Sequence, residues 1–171
     1  TTETITVTAP GVYAVQVANT TGCSASDTID VFFNAPLVIA LGADTALCQG
    51  DTLTLDAGAG FSSYLWSDAS LLQTLSVSAS GTYFVDAVDS LGCTANDTIE
   101  IIINPLPVVD LGNDTTFCGG TTFTLDGGAG FVNYLWNDGT QTQTIAIVTS
   151  GTYSLIVTDL NGCAGTDAVV V

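Results

Sequence analysis

Thr74-Leu75-Ser76-Val77-Ser78-Ala79-Ser80-Gly81-Thr82-Tyr83 alternates apolar and hydroxyl side chains over its first five residues and then breaks at Ser80-Gly81. Alternation with period two puts Leu75 and Val77 on one face of a strand. The Gly that follows suits a turn. Outward from this stretch the same grammar recurs. Leu53 and Leu55 alternate with Thr52 and Thr54, and Ile99, Ile101 and Ile103 make a last strand. Gln49-Gly50-Asp51, Asp56-Ala57-Gly58-Ala59-Gly60 and Leu91-Gly92 punctuate the runs. No segment has a helical period. Short strands at this spacing predict a seven-strand sandwich.

The pattern repeats every 70 residues. Cys23, Cys93 and Cys163 are in register, as are Cys48 and Cys118, Trp66 and Trp136, and Tyr13, Tyr83 and Tyr153. Phe123 and Leu125, Ile145 and Ile147, and Val169 and Val171 restate the core positions one repeat later. Residues 1–36 therefore read as the C-terminal half of a repeat, 37–106 as a complete one and 107–171 as a nearly complete one. Asn34-Ala35-Pro36 and Asn104-Pro105-Leu106-Pro107 are the joints. Short, Pro-bearing joints predict sandwiches held end to end with limited bending. Residues 1–36 are open to two readings: an excerpt of a longer polypeptide, or a half-repeat completed by strands of another molecule.

The 171 residues include 17 Asp and Glu and no Lys, Arg or His, a formal charge of -17. Side-chain ion pairs are thereby excluded. So is a nucleic-acid partner, because that affinity comes from cations that displace phosphate counterions. An apolar content of 47% argues for a folded chain. No uninterrupted apolar stretch approaches the roughly 20 residues of a membrane span, so no membrane insertion is expected.

Each full repeat has two cysteines, 45 residues apart. The spacing predicts Cys48–Cys93 and Cys118–Cys163, with Cys23 paired outside the chain. Closing such a loop stabilises a small sandwich by about 4 kcal/mol in the chain-entropy estimate and implies an oxidising, extracellular setting. A bond between consecutive repeats, Cys48–Cys163, is the alternative, because the turn before the second strand and the turn between the last two lie at opposite ends of such a sandwich.

Tyr64-Leu65-Trp66-Ser67-Asp68 and Tyr134-Leu135-Trp136-Asn137-Asp138-Gly139, with Ser80-Gly81-Thr82-Tyr83, Leu91-Gly92-Cys93 and the Leu-Gly-x-Asp-Thr openings at residues 41–45 and 111–115, carry a resemblance. The chain resembles the immunoglobulin-like or PKD-like tandem repeats of very large secreted proteins of Bacteroidota, many of them exported by the type IX system. The resemblance implies an adhesion, gliding or fibre role. Asp-Thr and Asp-Ser pairs at Thr28, Thr45, Thr52, Ser90, Thr98 and Thr115 look like the O-glycosylation acceptor pattern of that group.

Catalysis is argued against by elimination. Neutral-pH base chemistry most often uses His, and oxyanions and phosphoryl groups are commonly met by Lys or Arg. All three are missing. No cofactor is expected unless it is calcium, whose hard-oxygen preference makes Asp56, Asp68, Asp89, Asp126, Asp138 and Asp159 candidates. Against a calcium cage, an Asp in a turn commonly caps the backbone. Trp66 and Trp136 are expected in the core rather than against a sugar. Without Lys the chain has no isopeptide route to reinforcement and no trypsin site, so disulfides must supply any covalent staple. The expectation is a non-catalytic repeat unit of an extracellular fibre or adhesin stalk whose partners are adjacent repeats or further copies of itself. The alternative is an adhesive module that grips a glycan or protein by its loops or edge strands.

Overall fold

The computed structural model describes residues 3–118 and 120–171. Among these it is all β, with thirteen strands and no helix, so no helix is long and apolar enough to cross a membrane. The chain divides into two compact units, Thr1–Val38 and Ile39–Val171.

The first unit is one hairpin. Strands β1 (Gly11–Ala18) and β2 (Ser24–Val31) pair antiparallel, with Gly11 opposite Val31 and Ala18 opposite Ser24. Val15, Val17 and Ile29 are 57–64% exposed, whereas Val85, Ala87 and Ile99, one repeat later, are 0–2% exposed. The hairpin thus presents a core face with no second sheet upon it among the described residues.

The second unit holds two copies of a sandwich. In the first, β3 (Thr45–Cys48), β8 (Thr94–Asn104), β7 (Gly81–Val88) and β5 (Ser63–Trp66) form a four-stranded sheet in that order. It faces a two-stranded sheet of β4 (Leu53–Asp56) and β6 (Thr74–Val77). Only β3 runs parallel to its neighbour, and it places Thr45 opposite Ile101 and Cys48 opposite Asn104. In the second copy β10 (Asn133–Trp136), β12 (Thr152–Thr158) and β13 (Ala164–Val170) face β9 (Phe123–Asp126) and β11 (Thr144–Ile147). The stretch equivalent to β3 is not a strand. One rung survives, Thr115 N–H donating to Val170 O at 3.0 Å.

The expected seventh strand is absent from the complete repeat, which has six. Residues 67–73 are all that separate β5 from β6, and a tight turn takes them up. Ala69 N–H donates to Trp66 O at 2.9 Å, Asp68 accepts from Ser70 N–H at 2.9 Å, and Trp66 Nε1–H donates to Leu72 O at 2.8 Å. Trp136 Nε1–H and Thr142 O repeat the last contact. Both indoles are 1% exposed, so the tryptophans fill the core and find their single donor a partner. Tyr83 and Tyr153 hydroxyls bond back to Ala79 O and Thr149 O, fixing the corner that leads into β7 and β12.

Inward-facing positions follow the alternation. Leu55, Leu75, Val77, Ile99 and Ile101 are buried, as are Leu125, Ile145, Ile147, Val169 and Val171, while Leu53, Phe123 and Ile103 are half-buried at the rim. The two cores are not identical. Buried Ala57 in the first copy becomes Gly127, and Val85 becomes Leu155. A methyl on Gly127 would overlap Leu155 Cδ2, so the larger aliphatic occupies the room that a smaller residue gives up.

Candidate functional site

The bond that organises the second unit is Cys48–Cys163, with Cα atoms 5.5 Å apart and a sequence separation of 115. It replaces the within-repeat pairs Cys48–Cys93 and Cys118–Cys163 expected from spacing; Cys23, Cys93 and Cys118 are unbonded. The reason is strand length. Cys48 ends β3 opposite Asn104 at the far end of β8, while Cys93 immediately precedes Thr94 at its start. The 11 residues of β8 put roughly 33 Å between those positions at 3.3 Å per residue. A disulfide tolerates a Cα separation of only about 7 Å. The two cysteines of one repeat therefore sit at opposite ends of its sandwich, and the end that carries Cys48 meets the β12–β13 turn that carries Cys163.

Local chemistry sets both thiols. Cys163 follows Asp159-Leu160-Asn161-Gly162, in which Asp159 Oδ1 accepts from Asn161 N–H at 2.9 Å and from Cys163 N–H at 2.8 Å. Gly162 has φ 81°, which a side chain would strain. Cys48 opens the turn Cys48-Gln49-Gly50-Asp51, closed by Asp51 N–H donating to Cys48 O at 3.0 Å and capped by Asp51 Oδ2 accepting from Cys48 N–H at 3.1 Å. Gln49 N–H also donates to Asn104 O at 2.8 Å, which ties the turn to the last residue of β8. Cys163 is fully buried. Beside it, Gly165 lies so close to the Pro107 carbonyl that a methyl there would overlap it, which holds the start of the second sandwich against β13.

The aspartates singled out as calcium candidates are engaged as turn caps. Asp56 accepts from Gly58 N–H and Gln73 Nε2–H, and Asp126 likewise from Gly128 and Gln143. The Gln73 and Gln143 amides, and then those backbone donors, hold these carboxyls below the usual carboxylate range. Asp68 and Asp138 are lowered by their Ser70 and Thr140 partners. Asp89 accepts from Leu91 and Cys93 N–H, in the manner of Asp159. Among the described residues no three His, Cys, Asp or Glu side chains converge as a metal site.

The Asp-Thr and Asp-Ser pairs also have backbone work. Asp97 Oδ2 accepts from Leu41 N–H at 2.8 Å and Asp44 Oδ1 from Glu100 N–H at 2.8 Å, a reciprocal clamp between the entering segment and β8. Asp167 with Leu111 and Asp114 with Val170 repeat it. The clamp was missed in the sequence; its signal is the constant separation of 56 residues between donor and acceptor in both copies. Of the hydroxyls in the acceptor pattern, Thr28, Thr52, Ser90, Thr98 and Thr115 are exposed and Thr45 is half-buried.

No family model matches the chain, and no curated protein matches it in sequence. Solved structures do match in fold. The N-terminal eight immunoglobulin domains of Down syndrome cell adhesion molecule align over 95% of this chain and 27% of theirs, at 17% identity and TM-score 0.54. The insect immune protein hemolin aligns over 93% of this chain and 55% of its own, at 10% identity and TM-score 0.41. The SGBP-B protein of a Bacteroides ovatus mixed-linkage glucan utilization locus, solved with a heptasaccharide, aligns over 94% and 53%, at 13% identity and TM-score 0.28. The chain thus spans from about a quarter to about half of these proteins. Strand order, the buried tryptophans and the first of these likenesses agree: this is an all-β chain of tandem immunoglobulin-like sandwiches.

Proposed function

We propose that the chain is a length of structural repeats from an extracellular filament or adhesin stalk of the Bacteroidota repeat type, non-catalytic, in which sandwiches are bonded to their neighbours. The observation that carries this reading is the Cys48–Cys163 bond: it joins one repeat to the next instead of closing either. A staple within each repeat would stabilise isolated domains, whereas a bond between repeats resists their separation and bending. Disulfides persist in oxidising compartments, which supports an extracellular place.

Electron cryomicroscopy of the native extracellular material tests the proposal. Filaments with one sandwich for every 70 residues along their axis are the expected result. Flexible strings ending in a distinct globular head would make these repeats a spacer, and strong binding of a single repeat to a glycan array would favour the adhesive reading instead.

A further inference from the structure

We propose that Cys93 and Cys118 are bonding sites of the same joint, each linked to an adjoining repeat of this kind: Cys118 to a cysteine placed as Cys163 is, and Cys93 to one placed as Cys48 is. The observed bond fixes the rule, first cysteine of one repeat to second cysteine of the following one. The two unbonded thiols sit on copies of the turns that make it. Asp89 Oδ1 accepts from Leu91 and Cys93 N–H at 2.8 Å, as Asp159 does from Asn161 and Cys163, and Gly92 has φ 84° where Gly162 has 81°. Thr121 N–H donates to Cys118 O at 3.3 Å where Asp51 N–H donates to Cys48 O at 3.0 Å. Each sandwich therefore carries one cysteine at each end.

Within residues 39–171 neither thiol has a reachable partner. Cys93 lies a β8 length from Cys48, and Cys48 and Cys163 have already consumed each other. Cys118 is exposed and Cys93 half-buried, so both are open to a neighbour. Each new bond forms when two thiols lose two protons and two electrons to a disulfide-bearing oxidant, which leaves as a dithiol.

The register has a mechanical consequence. Along a series bonded this way, the shortest covalent route enters at Cys93, follows the backbone for 25 residues to Cys118 and leaves through the next bond, crossing two repeats. Of those residues, 11 belong to β8 and are already extended. Tension then runs along β8, the proline joint and residues 108–117, and the other strands of both sandwiches lie off the covalent route.

This inference rests on the reading of repeats in series, yet it fails separately from it. The full-length protein is isolated without reductant under an alkylating agent, digested with a non-tryptic protease because Lys and Arg are lacking, and mapped by mass spectrometry. The Cys118 peptide is expected to be linked to a peptide with an Asp/Asn-x-x-Gly-Cys turn, and the Cys93 peptide to one with the turn that opens at Cys48. Alkylated Cys93 or Cys118, or a Cys118–Cys163 link, overturns the register. In mixed unlabelled and heavy-nitrogen-labelled material, uniform pairs assign the neighbour to the same polypeptide and mixed pairs to a second molecule; both uphold the register. Filaments with alkylated thiols would sink the bond and keep the filament, and linked thiols in a protein that forms no filament would do the reverse.

Discussion

At Gly127 the two copies of the sandwich can be read against each other. The position is Ala57 in the first copy, where Val85 is the equivalent of Leu155, and glycine in the second, against the larger Leu155. Close packing explains the pairing, because protein interiors leave no spare methylene. Gly127→Ala is expected to destabilise the second sandwich by about 1–3 kcal/mol through overpacking. Adding Leu155→Val restores the arrangement of the first copy and should recover most of that loss. Chemical denaturation of both single variants and the double variant measures the coupling. Additive losses would contradict this account of the site.

At the scale of the element, the turns do what ion pairs do elsewhere. With no cation in the chain, carboxylates find their partners in backbone and amide N–H groups. Asp56 and Asp126 are held below the usual range by Gln73 and Gln143 and then by Gly58 and Gly128. A carboxyl lowered in the folded state contributes stability above its unfolded pKa, about 3.9, and loses it as the pH falls through the lower folded value. Replacing both by alanine should therefore cost stability at neutral pH, with the gap to wild type closing in strong acid. Comparing variant with wild type at each pH cancels most of the repulsion among the 17 acidic residues, which acid also relieves. A gap that stayed constant across the titration would show that packing, not charge, sets the effect.

The elements themselves were legible in the sequence, because alternation at Leu53–Leu55, Leu75–Val77 and Ile99–Ile101 reports which face is buried. Trp66 and Trp136 were legible for the same reason. The seventh strand was over-read, since a strand count borrowed from larger sandwiches ignores that only residues 67–73 separate β5 and β6. The disulfide was half legible. Spacing favoured pairs within a repeat, whereas the placement of the two turns at opposite ends of a sandwich pointed to the alternative Cys48–Cys163, and the 11-residue β8 decides for the latter. The Asp97–Leu41 and Asp44–Glu100 clamps stayed hidden because their donors are backbone groups, which no residue type marks.

At the scale of the whole molecule, the central claim is that covalent linkage passes between repeats. Stretching the 171-residue chain from its ends, before and after reduction, measures it. With Cys48–Cys163 intact, the 115 residues of separation it bridges cannot contribute to the extended length. Reduction should lengthen the fully stretched chain by roughly 380–410 Å, at 3.3–3.6 Å per residue. A gain of roughly 300–325 Å, the length of two 45-residue loops, would contradict the account and restore Cys48–Cys93 and Cys118–Cys163.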